Sequence, residues 1–183
     1  DKARLKQLLD HGADPNYFND QLDPYKIPLY HLVEDCDLDS IRLLVEYGAD
    51  LAVRWTRSWP MWRTNLLGLA CKTNRNRLEV AHYLALSGVP LPDDTWERDG
   101  VFLDIIVFGD IQLLEILRKR DSHFDNSITS TSSPWLKYAT TDDMIRFLIE
   151  NNAHLTSEFI QSLISQRRCE ILKLIFTKRL DVN

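Results

Sequence analysis

Along the chain, short apolar runs with the i, i+3, i+4 spacing of one helical face alternate with polar breaks carrying Gly, Asn or Asp. The first run is Leu5, Leu8 and Leu9, closed by His11-Gly12-Ala13-Asp14-Pro15-Asn16. Similar runs follow at Ile41, Leu43, Leu44; Val80, Tyr83, Leu84; Leu114, Ile116, Leu117; Ile145, Leu148, Ile149; and Ile171, Leu174, Ile175. Upstream of the last five lies a shorter apolar segment each time: Leu29–Val33, Leu66–Cys71, Phe102–Val107, Trp135–Ala139 and Phe159–Ile164. The pattern predicts pairs of helices, a short inner one and an outer one. Breakers separate the two at Cys36-Asp37, Thr73-Asn74 and Gly109-Asp110, and Asp37 and Thr141 are the expected N-caps of the helices that follow them.

The outer helices end alike. Gly12 can take the left-handed conformation that closes a helix without a Cβ penalty, and the ending returns as Tyr47-Gly48-Ala49-Asp50. Looser versions stand at Gly88, Asp121, Asn152 and Arg179, so the intervals between successive endings are 36, 40, 33, 31 and 27 residues. A unit of two helices and a turn cannot bury its apolar face alone. Its copies must stack, and a stack presents an extended surface suited to holding a partner.

Ile27-Pro28-Leu29-Tyr30-His31-Leu32, followed by Ile41, Leu43-Leu44 and Gly48-Ala49-Asp50, resembles an ankyrin repeat, and Leu29 to Gly48 keeps that family's register without a gap. The resemblance is weaker elsewhere: Gly68 stands where the family prefers His, about two extra residues lie around Lys72–Arg77, and Asp121 and Arg179 replace turn glycines. It implies an all-α, ankyrin-type solenoid of stacked helix pairs with β-hairpin or loop fingers. One repeat domain would span 1–183: the end of a half repeat at 1–16, then repeats at about 27–51, 65–89, 101–123, 134–155 and 158–183. TPR and HEAT arrays also stack helix pairs, but the Gly-Ala-Asp endings favour ankyrin. The family docks partners on the concave surface formed by its fingers and inner helices.

Composition narrows the partner. The chain has 183 residues, 44% hydrophobic and 27% charged, which is ordinary for a folded protein, and a net charge of −5 argues against nucleic acid held by bulk charge. No apolar run reaches the roughly 18 residues of a spanning helix, so no membrane is implied. Cys36, Cys71 and Cys169 are odd in number and widely spaced, which points to a reducing compartment, cytoplasmic or nuclear. The chain starts at Asp1 without an initiator Met, so a trimmed start is expected.

The most distinctive stretch is Val53–Thr64, with Trp55, Trp59, Trp62, Arg54, Arg57, Arg63 and Met61 and no acid. Trp, Arg and Met are enriched at interfaces because they offer large area, cation–π contact and bidentate hydrogen bonding. Burial of some of these rings against neighbouring fingers is the competing reading. Tyr17, Phe18 and Tyr25 make the preceding finger aromatic. The following one, Pro90–Gly100, surrounds Trp96 with Asp93, Asp94, Glu97 and Asp99. Ser127–Ser133 reads as a solvated Ser/Thr loop open to phosphorylation. The basic triplet Arg118-Lys119-Arg120 ends an outer helix, where cations complement the dipole.

For catalysis, His31, Asp35 and Cys36 form the one local base, orienter and thiol grouping, although Cys36 also stands where a helix-breaking Gly is expected. His11, His82, His123 and His154 show no metal-ligand spacing, and no Gly-rich phosphate loop occurs. The expectation is a non-catalytic protein–protein interaction module, a scaffold, adaptor or substrate-targeting segment. It would bind a protein or peptide through Trp55, Arg57, Trp59, Met61, Trp62, Arg63, Tyr17, Phe18, Tyr25 and Trp96, with no metal, cofactor or small-molecule substrate. The alternative is an enzyme, or a regulatory segment of one, built on degenerate repeats.

Overall fold

Helix-forming runs, seven of them among the described residues closed by a left-handed residue, determine the architecture of the computed structural model. It describes residues 1–17, 27–56, 63–72, 78–121, 123–130 and 135–180; for 54–56, 63, 64, 123, 126, 179 and 180 it describes the backbone alone. The fold is all-α. The described residues also include one short antiparallel ladder. The chain divides into two compact units, Asp1–Val101 and Phe102–Asn183.

In the first unit, α1 (Lys2–Asp10) packs on α3 (Leu38–Glu46), and α2 (Pro28–Glu34) packs on both α3 and α4 (Leu66–Cys71), which packs in turn on α5 (Leu78–Leu86). Outer α1 thus lies against outer α3, and inner α2 against inner α4. Leu29, Tyr30, Val33, Ile41, Leu44 and Leu84 fill the space between. Every residue of α4 is buried, which accounts for its unbroken apolar sequence Leu-Leu-Gly-Leu-Ala-Cys. Of the three leucines in α1 expected to share a buried face, Leu9 alone is buried, while Leu8 is exposed. Strands β1 (Arg54–Thr56) and β2 (Arg63–Asn65) pair with Trp55 opposite Thr64.

The second unit continues α6 (Thr95–Phe108) and contains α7 (Ile111–Arg118), α8 (His123–Thr129), α9 (Trp135–Tyr138), α10 (Asp142–Glu150), α11 (Ser157–Ser165) and α12 (Cys169–Leu180). Here α9 packs on α10, and α12 packs on both α10 and α11.

The turns explain the recurring sequence. At Gly48 (φ 84°) the amide donates to the Val45 carbonyl, and the next amide, Ala49, donates to the Leu44 carbonyl, both at 3.0 Å. This double closure satisfies carbonyls that the helix end would leave orphaned, and buried Ala49 adds an apolar contact. Asp50 then accepts the amide of Ala52 at 2.8 Å, as Asp14 accepts that of Asn16 at 2.8 Å. The same pair of backbone bonds closes the helices before Gly12, Cys36, Gly88, Gly109, Asn152 and Arg167, all of them at positive φ. The turn expected at Arg179 is a correction: α12 runs through that position to Leu180. Asp121, also expected as a turn anchor, donates its amide to the Leu117 and Arg118 carbonyls, and the residue after it lies outside the described residues.

Two of these positions respond in opposite senses. Cys36 holds φ 59°, which costs an L-residue about 1–2 kcal/mol. Cys36→Gly is therefore expected to raise stability by about 0.5–1 kcal/mol after the entropy of an added glycine is offset, and Gly48→Ala to lower it by about 1 kcal/mol. Urea unfolding midpoints of both variants check the signs. Gly109 is held twice over, because a Cβ there would meet Thr141 Cγ2 at 3.0 Å as well as requiring φ 77°.

The expected caps are present. Thr141 Oγ1 accepts the Met144 amide, and Asp37 Oδ1 accepts the Ser40 amide at 3.0 Å while the Ser40 hydroxyl donates to Asp37 Oδ2 at 2.6 Å. The Ser40 hydroxyl, then its amide, hold the Asp37 carboxyl below its ordinary value of 3.8. A lowered folded pKa means the capped, ionised form contributes stability above pH 3.8, and that contribution is lost as pH falls through the lower folded value. Asp37→Ala should cost about 1 kcal/mol at neutral pH, and the gap between wild type and variant should close in acid. Thermal midpoints across that range measure it.

Candidate interaction surface

Successive turns in the first unit are cross-linked by side chains. The Asn16 side-chain amide donates to the Gly48 carbonyl at 3.0 Å, and its oxygen accepts the Asp50 amide at 2.6 Å. One residue thereby reads both backbone groups of the next turn and fixes the spacing between two neighbouring turns. The device is not repeated one unit on, for two reasons visible in the sequence: Ala52 stands where Asn16 did, and Pro90, the counterpart of Asp50, has no amide hydrogen. Asn65 takes over, donating to the Pro90 carbonyl at 2.7 Å while accepting the Gly68 amide as the cap of α4. In the second unit, the Lys178 ammonium donates to the Ile149 and Glu150 carbonyls at 2.6 and 2.7 Å, closing the end of α10. Arg118 there donates to Asp125 and Asn151, so it has structural partners beyond the helix dipole.

These contacts position the segments in which a binding surface was expected. Trp55 and Arg63 lie on paired strands, with Arg63 opposite Thr56. Arg57, Trp59, Met61 and Trp62 lie outside the described residues, as do Phe18 and Tyr25. Tyr17 follows the Asp14 turn and is 67% exposed. Trp96 is 81% exposed, the most exposed large apolar side chain among the described residues.

The setting of Trp96 corrects the expected finger at 90–100. Only its first part is extended; α6 starts at Thr95, seven residues before the expected inner helix. Asp94 Oδ1 accepts the amides of Trp96 and Glu97 at 2.8 and 3.3 Å, and Arg98 Nε donates to the Pro92 carbonyl at 3.0 Å. The acidic stretch is thus partly a helix start, where negative charge meets the positive end of the dipole.

The Ser/Thr loop expected at 127–133 is corrected in its first part, because α8 occupies 123–129 and Ser127 is buried, while 131–133 lie outside the described residues. Its ladder of contacts is apolar: Phe124 and Ile128 are buried, and Phe124 packs against Phe102 with ring centroids 4.7 Å apart. The Ser127 carbonyl accepts the indole N–H of buried Trp135 at 2.9 Å.

The grouping of His31, Asp35 and Cys36 has a backbone explanation. Cys36 is the left-handed residue closing α2, and its thiol lies 3.8 Å from the Glu34 carbonyl, while His31 and Asp35 are exposed. Among the described residues, no group of three or more His, Cys, Asp or Glu side chains is arranged to hold a metal ion, and no helix is long and apolar enough to cross a membrane. Composition did not single out Leu86, Val107, Tyr138, Ile164 or Phe176, which are exposed apolar side chains on separate helices. Nothing in their spacing distinguishes them from the buried members of the same helices, since burial depends on what packs beside each one.

No protein-family model matches the chain. No solved structure matches it either. A protein of Acanthamoeba polyphaga mimivirus, named as an ankyrin repeat protein, is 25% identical over 168 residues. The alignment covers 91% of this chain and 40% of that relative, so the chain spans well under half the length of the protein it matches. Across nearly its whole length, then, the chain is similar to part of a protein named for its ankyrin repeats.

Proposed function

We propose that the chain is a non-catalytic protein–protein interaction module, an ankyrin-type solenoid whose repeats fall at about 27–51, 65–89, 101–123, 134–155 and 158–183 after a half repeat at 1–16. Its partner is a protein or peptide held through the segment at 53–64, with Trp55, Arg57, Trp59, Met61, Trp62 and Arg63, and through Tyr17, Phe18, Tyr25 and Trp96. Its place is the cytoplasm or nucleus, in keeping with three free cysteines. The observation that carries the reading is the recurrence of one design, helix pair plus left-handed closure, in both compact units. The similarity to a protein named for ankyrin repeats supports it, as do the exposed rings of Tyr17 and Trp96. The mechanism is rigid presentation. Side chains held in place by a stacked scaffold lose little further freedom on binding, so more of their contact energy appears as affinity.

Replacing Trp59 and Trp62 together with Ala tests it. Partners captured by the wild-type chain are identified by mass spectrometry, and the affinity of each purified partner for both forms is then measured. The expected loss for the double variant is at least tenfold, with an unchanged thermal midpoint, because a binding hot spot is worth about 2 kcal/mol or more. A large fall in the midpoint would assign the rings to the core instead. Equal affinities with equal midpoints would remove this segment from the binding surface.

A further inference from the structure

We draw no further inference here: the strongest candidate, the exposed apolar side chains Ile164 on α11 and Phe176 on the adjoining α12, carries nothing because nothing in the structure shows what covers them.

Discussion

Phe124→Ala is expected to lower the free energy of unfolding by about 3–5 kcal/mol, the range for truncating a fully buried aromatic side chain. The ring is wholly buried on α8 and tilted against Phe102, with Ile128 buried one turn further along the same helix. Removing it deletes the transfer free energy of the ring and leaves a cavity beside Phe102, whose own backbone is fixed within α6. Urea unfolding followed by circular dichroism gives the number directly. Phe124→Leu should recover more than half of the loss, because much of the volume is restored. A change below about 0.5 kcal/mol for the Ala variant is what a surface position would give, and it would return 127–129 to the solvated loop that the Ser/Thr content suggests.

That loop reading shows why some of the fold was legible and some was not. The Gly-Ala-Asp turns were legible because every part of the motif is local. Gly supplies φ, Ala49 supplies the apolar contact, and Asp50 accepts an amide two residues on. Cys36 and Arg167 make the same closure at φ 59° and 57° without a glycine to supply it. There the two backbone bonds from the helix end impose the conformation, and the side chain only tolerates it. In α8, the Ser/Thr content outweighed the Phe124 to Ile128 spacing of one helical turn, although that spacing was the informative signal. Around Trp96, Asp94 followed three residues later by Glu97 is a helix-start signature, whereas the acidic charge taken alone suggests a solvated loop. The exposure of the proposed binding residues was less legible still. Trp is buried more often than not, and the 81% exposure of Trp96 follows from its place in the first turn of α6, not from its residue type. The nearby Arg98 has the same dependence on place: its charge would suggest solvent, but its guanidinium binds the carbonyls of Pro92 and Asp93.

Tyr30→Ala is expected to cost about 3–5 kcal/mol, as much as the loss of Phe124, while Tyr30→Phe should cost only about 1 kcal/mol. The fold puts Tyr30 on α2 with no exposed surface. Its hydroxyl donates to Glu34 Oε1 at 2.8 Å, one turn along the same helix, and its ring meets His31 edge-on at 5.8 Å. The substitution to Phe removes that hydroxyl but keeps the ring, and half-buried Glu34 can turn to water, so little beyond the hydrogen bond is lost. The substitution to Ala empties space between α2 and the helices packed on it, α3 and α4, in a core that also buries Leu29, Val33 and Leu44. Denaturant midpoints of the two variants separate these contributions. If Tyr30→Phe cost as much as Tyr30→Ala, the position would depend chiefly on its polar contact. The expected ordering assigns it to packing, with the hydroxyl serving mainly to satisfy the polar end of a buried ring.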